Sequence, residues 1–217
     1  MTFQRARSEE QREARRRAIL DTAAAMLDEM PVADVTLNEL SRRVGLAKSN
    51  VLRYFESREA VLLELLDHFL RVWLTELSDD LAKGVEPGEQ AAGQVAEILS
   101  RSLAERPVLC GLFGAQGGVL EHNVSIEVVT RYKRASLENL QTMTDLMRQH
   151  LPELGDSAQV FCLHTLVVAG ALSAYTPPPP ALLAAYEANP ELATIQLDLR
   201  ANLRLAVDTS LFGLLPR

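Results

Sequence analysis

Five side chains in a run of seven, Lys48, Ser49, Asn50, Arg53 and Tyr54, have the chemistry of a nucleic-acid contact. Ammonium and guanidinium groups suit phosphates, while amide and hydroxyl groups suit base edges. Thr36, Arg43 and Arg58 flank the run and add a hydroxyl and two cations. Other chemistries find no comparable set. There is no glycine-rich phosphate loop and no nucleophile in a recognised turn. His68, His122, His150 and His164 form no HxxxH or cysteine-linked metal spacing. Neither an enzyme nor a metal or cofactor protein is expected.

The polar run needs a rigid holder, and residues 36–58 spell one. Thr36 is a helix cap with Glu39 three positions on, the pattern of a capping box. Leu37, Leu40 and Val44 make one apolar stripe. Gly45 then stands where a left-handed backbone ends the helix cheaply. Leu46, Val51 and Phe55 form a second apolar set, predicting a helix over residues 47–54 with the polar run on its free face. Ser57 caps a third helix. An ordinary helical hairpin shares some of these features. The short first helix, the glycine turn, the polar face and the Tyr54-Phe55 pair together favour a helix-turn-helix.

The segment resembles the DNA-binding domain of the tetracycline-repressor (TetR) family of bacterial transcription regulators. The matching residues are Thr36-Leu37-Asn38-Glu39-Leu40, Val44-Gly45-Leu46 and Lys48 through Glu59, preceded by Arg17 through Ala23. Many members carry an aromatic residue at the place of Leu52 and a histidine at that of Tyr54. The resemblance implies an all-α fold: an N-terminal three-helix head, residues 1–57, and a C-terminal helical domain for ligand binding and dimerisation, residues 58–217. It implies a homodimer that binds a palindromic operator in double-stranded DNA, with half-sites about 34–36 Å apart. A small apolar or amphipathic effector would release a repressor of this kind. An activator or a partner-controlled regulator shares the same features, and a helical small-molecule-binding module shares the body.

Charge fits a head on a body. Residues 1–55 hold ten basic and eight acidic side chains, leaving 12 basic and 21 acidic in the rest of a chain of net charge −7. That balance suits contact with DNA at one end only. Cys110 and Cys162 lie in apolar stretches and read as buried thiols. Met1 to Arg17 is too polar for a secretory leader. The apolar stretch Phe161–Tyr175 is shorter than a spanning helix of about 20 residues. A cytoplasmic protein without a membrane partner is expected.

Elsewhere the pattern is helical throughout. Residues 1–8 read as a disordered arm carrying Arg5 and Arg7, followed by a helix over 9–30. A long helix over 58–83 follows the head. The segment with Gly111, Gly114, Gly117 and Gly118 reads as short or irregular, since glycine costs about 1 kcal/mol in a helix. Asp156 is a candidate cap for a helix buried on all sides, and the last helix is expected over 194–214. The family implies that two C-terminal helices pair across a two-fold axis, with Val168, Ala171, Leu203, Val207 and Leu211 as candidates. It also implies a ligand cavity. Phe69, Trp73, Leu99, Leu103, Phe113, Tyr132, Met143, Met147 and Phe161 are candidates for its wall, with plain core packing as the competing role. Gln116, Glu121, His122 and His164 could add polarity.

Overall fold

The computed structural model describes residues 2–215, with side chains from residue 9 onward. Among these residues every regular element is helical. The head comprises α1 (Thr2–Glu29), α2 (Leu37–Val44) and α3 (Lys48–Val51). The body comprises α4 (Arg58–Gly84), α5 (Ala91–Ala104), α6 (Pro107–Ala115), α7 (Ile126–His150), α8 (Ala158–Ser173), α9 (Pro180–Ala188) and α10 (Leu199–Leu214).

Helix α1 begins well before residue 9. The backbone of the expected arm is helical from Thr2, while the Arg5 and Arg7 side chains fall outside the described ones. Ile19, Ala23 and Met26, at helical spacing, are fully buried and meet Leu40, Val51 and Phe55 in the head core.

Helix α4 has 27 residues, about 40 Å of rod. Ser57 Oγ accepts from Ala60 N at 3.1 Å and starts it. Leu62, Leu66, Trp73, Leu77 and Leu81 are buried along it. It runs against α1 at the head and against α5, α6 and α7 in the body. The single tryptophan is wholly enclosed, and its indole N–H donates to Ser102 Oγ at 3.1 Å.

The glycine-rich segment is more regular than expected. Pro107 opens α6, which continues through one π-helical turn, Gln116–Leu120. Burial of Leu109, Cys110 and Leu112 outweighs the poor helix propensity. Gly114 is required by packing. A Cβ there would lie 2.7 Å from Gly170 O, and a Cβ on Gly170 would lie 2.7 Å from Gly114 N. The small residues of α8 thus admit the α6 backbone of the same chain.

Helix α8 is not buried on all sides. Its inner face packs on α6, α7 and α10, but Val160, Leu163 and Val167 remain 45%, 49% and 61% exposed. Asp156 does not cap it. A 3-10 turn, Pro152–Ser157, comes first, broken by the positive φ of Gly155, and Ser157 holds the cap position. Counted with that turn, Pro152–Ser173 is long and apolar enough to cross a membrane by length and composition. The last helix starts at Leu199, because Asp198 caps it through Ala201 N at 2.7 Å, and a 3-10 turn occupies Pro190–Ile195. Cys110 and Cys162 are free and buried, and burial pushes both thiols up to about 12.

The Gly114–Gly170 contact yields a measurable expectation. Gly170→Ala should destabilise the fold by about 1–3 kcal/mol through forced separation of α6 and α8. Denaturant unfolding followed by Trp73 fluorescence reads this directly; an unchanged midpoint would mean the two helices do not touch there.

Candidate functional site

The head presents α3 through a short scaffold. Thr36 Oγ1 accepts from Glu39 N at 3.2 Å and starts α2. The reciprocal half of the capping box does not form, because the Glu39 carboxylate is taken by Arg42 at 2.6 Å and Arg43 at 2.8 Å. Those guanidinium groups, Arg42 first, hold the Glu39 carboxyl down at about 2. Gly45, at φ 70°, closes the helix, with Leu46 N bonded to Ser41 O at 3.1 Å. Helix α3 is shorter than expected. It ends at Val51, and the next residues turn with three-residue bonds such as Tyr54 N to Val51 O at 2.9 Å.

This geometry sorts the eight expected contact residues. Lys48, Ser49, Asn50 and Arg53 are exposed and Tyr54 is half-buried. Thr36 is exposed, and its hydroxyl keeps a donor beyond its cap. Arg43 is committed elsewhere, bridging Glu39 and, at 2.7 Å, Glu29. Arg58 is also tied inward. It donates to Ala33 O at 3.2 Å and pairs with Glu59 at 3.4 Å, so it staples the loop before α2 to α4.

Two cations were missed from sequence. Arg12 and Arg15 of α1 line a polar cleft of about 580 Å³ with Gln11, Asn50, Arg53 and Tyr54. Among the described residues, Arg12, Arg15, Lys48 and Arg53 have no acidic partner. The legible signal was their spacing of three on a helix ahead of the apolar face that starts at Ile19. Arg16 takes a different role. It lies over the Phe55 ring at 4.4 Å and pairs with Glu64 of α4. Burial pushes the Glu64 carboxyl up despite the neighbouring Arg16 and Arg131. A second tie joins head to body: Glu56 Oε1 accepts from Ser125 N at 2.5 Å, at the start of α7.

In the body, the nine expected wall residues are core in this conformer. Trp73, Leu99, Leu103, Tyr132, Met143, Met147 and Phe161 are buried in one cluster, and Phe69 and Phe113 pack partly buried against it. Tyr132 also edges a cleft of about 280 Å³ shared with Arg16, Glu64, Asp67, Arg71 and Arg131. Gln116 and Lys133 both bond Glu121, His122 meets Gly117 O, and His164 is exposed. Of the expected dimer residues, Leu203, Val207 and Leu211 face inward, at 0%, 2% and 3% exposure, where α10 packs on α5 and α8. Val168 is half-buried and Ala171 exposed. The free apolar face is instead Val160, Leu163, Val167 and Ala171 of α8 with Leu205 and Phe212 of α10, the last two 65% and 81% exposed. Helical periodicity picked the stripe that packs inside its own chain.

Residues 19–65 match the model for bacterial regulatory proteins of the tetR family, and residues 67–217 match that for the tetracyclin repressor-like C-terminal domain. The chain belongs to the TetR family. It is 44% identical over 50 residues to the HTH-type transcriptional regulator EthR of Mycobacterium tuberculosis, a match covering 23% of this chain and 23% of that relative. Among solved structures, a TetR transcriptional regulator from Rhodococcus sp. RHA1 superposes with TM-score 0.57 at 16% identity, covering 94% of this chain and 98% of that one. FadR of Thermus thermophilus, a TetR family transcriptional repressor in complex with lauroyl-CoA, superposes with TM-score 0.56 at 20% identity, covering 93% and 96%. The protein is thus a DNA-binding transcription regulator of the TetR family, with its helix-turn-helix at residues 37–51.

The lowered Glu39 carboxyl makes this TetR-family head sensitive to acid. Its folded value lies below its ordinary 4.5, so its ion pairs contribute stability in full above that pH. The contribution is lost as pH falls through about 2. NMR titration of the side-chain carboxyl carbon should place Glu39 near that lower value. The stability gap between the wild type and E39Q should close over the same interval; a Glu39 midpoint at the ordinary value would show that Arg42 and Arg43 do not hold it.

Proposed function

We propose that this chain is a one-component transcriptional repressor. It binds a palindromic operator as a homodimer and is released by a small apolar or amphipathic effector. The observation that carries the reading is the set of uncommitted cations, Arg12, Arg15, Lys48 and Arg53, around the exposed Ser49 and Asn50. Lys48, Arg53, Arg12 and Arg15 hold phosphates, and Tyr54 adds a hydroxyl. Ser49 and Asn50 meet base edges in the major groove. Thr36 adds a contact at the start of α2. Arg43 and Arg58 support the head from within. The protein works in the cytoplasm, where its DNA lies.

Dimerisation uses the outward stripe of α8 and α10, forming a four-helix bundle across a two-fold axis. Exposed aliphatic and phenyl groups at Val160, Leu163, Val167, Leu205 and Phe212 support it. Both heads must meet half-sites at once, so a shift of α4 by a few ångströms suffices for release. The effector acts only through its differential affinity for the two head spacings. Since the wall residues are packed as core here, the effector binds an opened form of the body. The likeness in fold to the repressor solved with lauroyl-CoA supports an elongated, amphipathic class of effector.

Operator selection from genomic fragments, followed by salt titration, tests the DNA side. Lys48→Ala and Arg53→Ala should each weaken binding across all sequences and lower the salt slope by about 1. Asn50→Ala should instead cost about 1–3 kcal/mol at the operator and relax the preference at one base pair. No enriched palindrome, with no loss in K48A or R53A, would refute the reading.

The double variant Val167→Asp with Phe212→Asp should sediment as a folded monomer and lose operator binding. A dimer that survives both charges would move the interface elsewhere.

A further inference from the structure

No residue from Ala171 to Asn202 is buried in this chain. The stretch includes Tyr175, Leu182, Leu183, Leu192 and Ile195, which are 39% to 71% exposed. Within it, α9 packs mainly on the 3-10 turn that follows it, Pro190–Ile195. A nine-residue helix is too short to persist in water by itself. Its fold must draw on apolar burial that its own chain does not provide. The four prolines Pro177 to Pro180 stiffen its root.

We propose that residues 174–197 form an arm that packs on the body of a second copy of this chain and completes the dimer interface. The inference rests on the dimer reading above. Three observations select a second copy as the occupant. The arm leaves the C-terminal end of α8 and returns to the N-terminal end of α10, the two helices with outward apolar faces. Tyr175 extends the α8 stripe, four residues beyond Ala171 and eight beyond Val167. The area also demands more surface. Two 16-residue helices side by side present roughly 24 Å by 20 Å, on the order of 500 Å². A standard interface takes about 800 Å² from each partner. Under two-fold symmetry each copy gives one arm and receives one, which supplies the difference.

Sedimentation equilibrium on the full chain tests this with Leu182→Asp plus Ile195→Asp. Neither side chain is buried in its own chain, so the body should stay folded, with helical content by circular dichroism falling by no more than the nine residues of α9. The dimer dissociation constant should rise about tenfold or more, as expected for two apolar groups lost from an interface. An unchanged constant would overturn the arm and leave the dimer standing. A wild type that is monomeric at the highest concentration measured would overturn the dimer itself, and the arm with it. A photo-crosslinking phenylalanine at Ile195 gives the second readout. Adducts of doubled mass support the arm; adducts confined to one chain overturn it.

Discussion

One unbroken apolar core runs from Ile19 in the head through α4 to Leu211 at the end of the body. The rest of the structure depends on this continuity. The first turns of α4 belong to the head, where Ala60, Val61 and Leu62 are buried, and its later turns belong to the body, where Trp73, Leu77 and Leu81 are buried. Close-packed interiors transmit displacement instead of absorbing it. Head and body are therefore coupled through packed side chains and not through a flexible linker. Polar ties at the seam reinforce this: Arg16 to Glu64 from α1, and Glu56 to Ser125 at the start of α7. Charged groups at such a partly enclosed seam are held by geometry more than by net stability. Their value lies in fixing the angle between head and body.

The same head shows how acidic neighbours decide which cations face outward. Glu39 and Glu29 occupy Arg42 and Arg43, and Glu64 occupies Arg16. Of the cations that remain, Arg12, Arg15, Lys48 and Arg53 lie at or beside the exposed tip of α3, while Arg17 is exposed elsewhere on α1. The mildly basic balance of residues 1–55 thus understates the local asymmetry, because the neutralised arginines contribute little field at the face that matters. Net charge over a domain is a poor guide to a binding surface; pairing within the domain is the sharper one.

How much was legible in sequence follows the range of each interaction. Caps and turns are local, so Thr36, Gly45 and Ser57 were readable, and so was the polar run from Lys48 to Tyr54. The capping box was only half realised, because Arg42 and Arg43 outcompete a backbone N–H for the Glu39 carboxylate. Arg12 and Arg15 were hidden by tertiary placement: nothing in α1 alone says that it lies beside α3. Periodicity in α10 identified a packed stripe, Leu203, Val207 and Leu211, but not whose surface it packs on. In α8 nearly every position is apolar, which leaves the phase undetermined. The outward stripe emerged only once α6, α7 and α10 had covered the other side.

The closed body constrains what could open it. Trp73, Leu99, Leu103, Met147 and Phe161 are fully enclosed, and separating them exposes surface at about 25 cal/mol per Å². Burying any one such side chain contributes roughly 1.5–3 kcal/mol, so water alone cannot hold an open form at appreciable population. A polar effector would leave that cost uncompensated, and its own groups would be desolvated without partners in a cluster so poor in polar atoms. An apolar group that replaced the lost contacts would offset that cost. The π-helical turn at Gln116–Leu120 and the paired glycines Gly114 and Gly170 mark where the body departs from regular helix packing. Helix α6 packs there on both α4 and α8, so it joins the long helix that enters the head to the helix with the outward apolar face.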